Sequence, residues 1–294
     1  MPPAKTDHNS RKVLTSTLHP AKQMVIADVG ANPLGEPPYK GLLDDGACQV
    51  VGFEPNLDAL AELEQIKSEN ETYLPNAIGM PGKQTLYLHK RSGFTSLYPM
   101  DRENLRRIDK ERLANMIVDK VELETTPLDN IADVPLVDVL KMDLQGGERD
   151  VMIGGKEKLA NAVGIVTEVR FYRIYENEPE FGDLDRQMRD QGFRLYKFLF
   201  QKSVMMPHPY EEKIIRKRMT SQLFDGDAVY LPNCDLANDL TDDQLIYLSF
   251  FGDMIESPDL TLLALGALTK RGVIGNDVAE TYINALSPRL RANG

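Results

Sequence analysis

Four acidic residues of this chain, Asp28, Glu54, Asp143 and Glu168, lie at or beside the ends of short apolar runs. Met24 to Val29 leads into Gly30, Val50-Val-Gly-Phe53 into Glu54, and Val137 to Met142 into Asp143; Val163 to Val169 carries Glu168 near its end. Four to six apolar residues stopped by Gly or Pro mark a strand buried in a parallel sheet. Sheets of that kind bind ligands at the carboxyl ends of their strands. Each acid alone is an ordinary loop residue. Together on one rim they make a polar ligand site in an apolar frame.

A strand, a glycine turn, a crossover and a second strand ending in an acid is the layout that holds a ribose-bearing cofactor, with the acid roughly 20 residues past the turn. Glu54 fits, and its two oxygens can accept both hydroxyls of one ribose. A dinucleotide site calls for Gly-x-Gly-x-x-Gly, because the backbone must approach a pyrophosphate closely. The turn here is Gly30-Ala-Asn-Pro-Leu-Gly35, without Gly-x-Gly. It suits a phosphate-free group such as the amino-acid end of S-adenosylmethionine (SAM); the alternative is an ordinary strand-to-helix turn using glycine for positive φ.

The elements that must position these residues follow from the pattern. After a loose arm over residues 1–22, the sequence predicts strands at Met24–Val29 and Val50–Phe53, with a short helix from near Pro38 to Asp44 between them. Leu57–Ile66 reads as an amphipathic helix, Thr72–Ile78 as a third strand, Thr85–His89 as an added strand or hairpin arm, and Asp101–Ala114 as a charged surface helix. Strands at Val121–Thr126, Val137–Met142 and Val163–Val169 come next, with a helix in Glu148–Leu159. A helix at Phe181–Asp190 precedes late strands at Phe193–Phe198 and Ala228–Leu231, and from Leu240 the pattern is wholly helical. Alternating strands and helices give an α/β fold with a mostly parallel sheet and helices on both faces. The domains read as an arm (1–22), an α/β domain (23–234) and a C-terminal helical extension (235–294).

Length and composition bound the partners. The 294 residues, 42% hydrophobic and 27% charged, fit a globular protein with a full core. A net charge of −11 argues against a nucleic-acid partner, which needs a basic face. Cys48 and Cys234 form no C-x-x-C, so neither a structural zinc nor a disulfide framework is expected. No apolar run approaches the ~20 residues of a membrane span, and Met1–Pro20 has no signal-peptide core. The expectation is a cytoplasmic protein with no membrane partner.

Several segments then carry a resemblance. Asp28-Val-Gly-Ala-Asn32, Gly52-Phe-Glu-Pro55, Leu74-Pro-Asn-Ala-Ile-Gly79, Gly93-Phe-Thr-Ser-Leu97, Leu128-Asp-Asn-Ile131, Leu140-Lys-Met-Asp-Leu-Gln-Gly-Gly-Glu148 and Glu168-Val-Arg-Phe171 resemble, in order, the FkbM-type family of SAM-dependent methyltransferases. The likeness covers roughly residues 24–200. It implies a Rossmann-like class I methyltransferase fold, a seven-stranded sheet with one antiparallel strand near an edge. It implies SAM as cofactor, with Asp28, Gly30, Ala31 and Asn32 at the methionine end, Glu54 and Pro55 at the ribose, Asn76 and Ala77 beside the adenine, and Asp143 near the reacting methyl. An O-methyltransferase acting on a saccharide or natural-product hydroxyl is the function implied. The chain departs from the family at Pro33-Leu34, in Glu36-Pro-Pro-Tyr39 and in the helical tail.

Methyl transfer to a hydroxyl needs alignment and a proton acceptor. Asp143 is the first candidate for base, or else it bonds only the cofactor's amino group or a backbone group. His89 titrates near neutrality and is a second candidate base, or a surface residue. Glu168 (a third catalytic candidate) and Arg170 either orient a polar acceptor or form a salt bridge. Thr95 and Ser96 bind the acceptor or shape a turn. Asp143, Glu148 and Glu168 have oxygen ligands for a divalent cation, but without a dense carboxylate cluster no metal is expected. A nicotinamide oxidoreductase or epimerase, and a non-catalytic SAM-binding module, are the other readings. The tail leucines either pack on the sheet or form a homodimer seam.

Overall fold

The computed structural model describes residues 8–33 and 35–292; the start of the expected arm and Leu34 lie outside them. The chain runs through α1 (His8–Thr17), β1 (Met24–Val29), α2 (Lys40–Asp44), β2 (Cys48–Phe53), α3 (Leu57–Ile66) and β3 (Glu71–Leu74). A small second sheet follows, of β4 (Ala77–Ile78), β5 (Gly82–His89) and β6 (Ile117–Thr126), with α4 (Arg102–Arg107) between the last two. The main sheet resumes with β7 (Val139–Met142), α5 (Glu148–Gly154), β8 (Gly164–Arg170), α6 (Phe181–Asp190), β9 (Phe193–Val204) and β10 (Gln222–Pro232). Helices α7 (Leu236–Asp239), α8 (Asp242–Met254), α9 (Pro258–Lys270) and α10 (Asp277–Ala285) close the chain.

The main sheet has seven strands in the order β3-β2-β1-β7-β8-β10-β9. The pairs β3–β2, β2–β1, β1–β7 and β7–β8 are parallel, while β10 runs antiparallel to both β8 and β9. This is the class I methyltransferase sheet, with its one reversed strand beside the edge.

Side chains alternate across each strand, so each face has its own set. Met24, Ile26, Val50, Val139, Val166 and Val229 point to one face, against α1, α2 and the C-terminal helices. Ala27, Val29, Leu140, Met142 and Ile165 point to the other, against Val151 and Met152 of α5 and Leu184 and Met188 of α6. A third cluster joins the second sheet to the β9–β10 hairpin through Leu105, Tyr175, Val204 and Phe224.

The structure corrects several expectations. The arm is not loose over residues 8–17: α1 buries Leu14 at 0% exposure, and it packs on α8 and α10. The third strand is two, because Pro75 and Asn76 break it and send β4 into the second sheet. The charged helix stops at Arg107, and after Asp109 (φ +56°) the chain makes a separate 3-10 turn at Glu111–Asn115. Its apolar side is also not solvated, since Leu105, Ile108 and Leu113 are buried. The stripe expected on α3 is mostly open, with Leu57 and Ile66 about 70% exposed, because α3 borders a cavity rather than a closed core. The tail leucines Leu245, Leu248, Leu260, Leu265 and Leu268 are buried in this chain's own core. Leu263 and Leu290 of the same tail are exposed.

Candidate active site

A cavity of about 760 Å³ opens at the carboxyl ends of β1, β2, β3 and β7. Strand register explains its floor. Asp28 of β1 lies opposite Gly52 of β2 and Lys141 of β7, and Gly52 lies opposite Tyr73 of β3. Partners in neighbouring parallel strands share a face, so these four positions form one row. Gly52 is required there: a Cβ on it would lie 2.4 Å from the Tyr73 ring.

Lys141 interrupts an apolar strand, and a buried cation needs a counter-charge. Asp28 supplies it, with Lys141 Nζ 2.8 Å from Oδ1 as an ion pair rather than an aligned hydrogen bond. Burial alone would lower the ammonium pKa, but Asp28 and Asp143 outweigh it and hold it above the ordinary lysine value. The other oxygen of Asp28 accepts a 2.5 Å hydrogen bond from the Tyr39 hydroxyl. Burial first, and Asp28 second, push the Tyr39 pKa up, so the hydroxyl keeps its proton.

At the glycine turn the backbone is tight. Gly30 has φ +82°, and a Cβ there would sit 2.2 Å from the Asp143 carbonyl oxygen. Its N–H and that of Ala31 both donate to the Phe53 carbonyl, which ties the end of β1 to the end of β2. Ala31, Asn32, Pro55, Asn76 and Ala77 line the same cavity. Glu54 is 8% exposed and accepts one hydrogen bond, from Asn56 N at 2.7 Å. Burial pushes its carboxyl up to about 7, with the Asn56 N–H pulling the other way.

Beyond β7, Asp143 is an exposed acid on the wall, beside Lys141 and Gln145. Its Oδ1 accepts from Gln145 Nε2 at 2.9 Å, and Oδ2 has no hydrogen-bond partner among the described residues. The same amide donates to Glu168 Oε2 at 2.7 Å, while its carbonyl oxygen accepts from Arg170 Nη2 and Tyr175 Oη, each at 3.1 Å. Two donors on one end of the amide and two carboxylates on the other fix its orientation. Gln145 reaches this place with φ +56°. Glu148 stabilises the turn by accepting from Leu144 N and Gly146 N.

The structure separates the remaining candidates. Thr95 lines the cavity. His89 does not: it is 5% exposed, with Nδ1 accepting from Arg91 N and Nε2 3.0 Å from the Leu113 carbonyl, so it pins a loop. Ser96 is also spent on structure, donating to the Gln145 carbonyl at 2.7 Å. Glu168 lies behind Gln145 rather than on the cavity wall, and burial raises its pKa well above the ordinary value against the pull of Arg170. Arg170 is 5% exposed and committed to Glu168, Glu178 and Asp225, which leaves it no reach toward an acceptor. The recess beside these groups, about 10 Å³, has room for no more than a water.

The expectation of no carboxylate cluster is also corrected. Oxygens of Asp143, Glu148 and Glu168 lie within 4.8 Å of one another. Their lone pairs already receive Gln145, Arg170 and two backbone N–H groups.

Residues missed in the sequence, Tyr39, Tyr73, Lys141 and Gln145, all border the cavity. A lone lysine in an apolar strand was the readable signal.

The residues present fit SAM. The cavity wall carries seven carboxylates against two lysines, a field suited to a sulfonium and an ammonium. Glu54 is a buried acceptor short of donors, as a ribose diol requires. Sheet order and rim together define a class I SAM-dependent methyltransferase. Residues 28–195 match the methyltransferase FkbM domain, and the chain belongs to that family. This sets aside the nicotinamide reading. No curated protein matches the chain significantly. Among solved structures it is similar to precorrin-6y C5,15-methyltransferase from Geobacter metallireducens, at 12% identity over 75% of this chain and 87% of that one, TM-score 0.36. It is also similar to magnesium protoporphyrin IX methyltransferase from Synechocystis PCC 6803 with bound SAM, at 8% identity over 71% and 70%, TM-score 0.36.

Proposed function

We propose that this methyltransferase acts on a hydroxyl oxygen of a saccharide or natural-product acceptor, with Asp143 taking the proton. The observation that carries this is the state of Asp143: exposed in the cavity, one oxygen held by Gln145 and the other free. When bound, SAM supplies an electrophilic methyl on a sulfonium, which departs as a thioether once the acceptor oxygen bonds that carbon. Glu54 would hold the ribose hydroxyls, and Asp28 would face the amino-acid end. Gln145 keeps Asp143 pointed into the cavity, so the proton moves to an oxygen already placed for it. Thr95, with Leu86 and Leu97 beside it, provides a wall of mixed polarity for the acceptor.

The test uses label from the SAM methyl group, offered with a panel of oligosaccharides and glycosides. The expected product is a methyl ether, and Asp143→Asn lowers turnover about 10²–10⁴-fold while S-adenosylhomocysteine still binds. Label recovered only on nitrogen or carbon would sink the hydroxyl assignment. SAM binding without turnover on any acceptor would favour the non-catalytic module.

A further inference from the structure

Tyr39 stands in Glu36-Pro-Pro-Tyr39, in the connection between β1 and α2. The structure brings it to the centre of the cofactor site. It is 1% exposed, caps the start of α2, and accepts the N–H groups of Leu42 and Leu43 on its carbonyl oxygen. Its ring is held in the core that joins the sheet to the C-terminal helices. Its hydroxyl donates to Asp28 at 2.5 Å and borders the cavity.

We propose that Tyr39 is a positioning residue for the amino-acid end of the cofactor. Its single proton is committed to Asp28, which fixes the carboxylate against Lys141 and leaves the hydroxyl lone pairs as acceptors. The Tyr39 oxygen and the Asp28 carboxylate then form one acceptor pair matched to an ammonium. The two prolines before Tyr39 restrict the backbone, and Leu42 and Leu43 anchor the helix that follows. The C-terminal extension thereby helps to build the cofactor site from the opposite side of α2.

This rests on the SAM reading, and the experiment separates the two. The full chain is titrated with S-adenosylhomocysteine and with 5′-methylthioadenosine, the same nucleoside thioether without the amino-acid end. Tyr39→Phe removes one oxygen and keeps the ring. It is expected to weaken S-adenosylhomocysteine roughly 10–100-fold, the usual effect of a hydrogen bond to a charged group, and to leave methylthioadenosine unchanged. Asp28→Asn should show the same selectivity, and the double variant should add little to either, because the two residues act as one unit. Equal weakening of both ligands, or none, overturns the proposal, as does full additivity in the double variant. If Tyr39→Phe does not fold, the wild-type chain is titrated with S-adenosylhomocysteine lacking its amino group: binding weakened roughly 10–100-fold supports an acceptor pair for the ammonium, and unchanged binding overturns it. Wild-type protein that binds neither ligand would instead bring down the cofactor reading.

Discussion

Glu54 shows how a single side chain ties fold to binding. Its pKa of about 7 leaves it mostly protonated at pH 6 and mostly ionised at pH 8. Ribose hydroxyls donate to the ionised form, so S-adenosylhomocysteine affinity should rise roughly tenfold across that range. Glu54→Gln should bind weakly and show no such slope in calorimetry. For the ligand-free protein the sign is opposite. The folded pKa exceeds the unfolded value of 4.5, so the stabilisation is present below about 4.5 and is lost as pH rises through about 7. At the same scale, the motif Lys141-Met-Asp-Leu-Gln145 was legible as a motif, and Asp28, Glu54 and Asp143 as rim acids. The work of Gln145 was not, because it depends on a left-handed turn after β7 that brings the Gln145 amide against Arg170 and Tyr175. His89 misled for the converse reason: its type suggested chemistry, while its neighbours Arg91 and Leu113 bind both nitrogens.

The elements fall into two groups by how far their own pattern determines them. Strand β1 and helices α3 and α6 have the bounds that periodicity predicts. Strands β9 and β10 run well past the predicted segments, because their outer halves pair with each other and need no apolar alternation. The short α2, only five residues, is the consequential element. A crossover so brief leaves that side of the sheet uncovered, and α1 and the C-terminal helices cover it. At Gly164, the first residue of β8, the sheet and α8 meet closely: a Cβ there would lie 2.2 Å from the Phe251 ring of α8. Gly164→Ala should therefore destabilise the protein by about 1–3 kcal/mol, as overpacked cores do. Urea unfolding measures it, and a change within 0.5 kcal/mol, typical of neutral surface substitutions, would show that the sheet and α8 move apart freely.

At the scale of the whole molecule, the division into an α/β domain and a helical extension does not describe how the chain is held together. One core contains Met24, Ile26 and Val139 of the sheet, Leu42 and Leu43 of α2, and Leu245, Phe251, Leu265 and Tyr282 of the extension. The extension is a continuation of the fold, packed on the sheet face beside the five-residue α2. Sequence could not show this, since the leucine spacing of α8 and α9 serves a dimer seam or an intramolecular core equally well. A chain ended after Asp235 would uncover the part of one sheet face on which α8, α9 and α10 pack, an apolar surface of the kind that drives soluble monomers to associate. The expected outcome is an aggregating or molten product that binds a hydrophobic dye and has lost S-adenosylhomocysteine binding, because α2 and Tyr39 are no longer seated. Adding the missing helices as a separate peptide should restore some binding if the loss lies in that shared core. A soluble truncated chain with unchanged ligand affinity would mean that the sheet and α2 hold the site without the extension, and that the helices at the C-terminus serve another purpose.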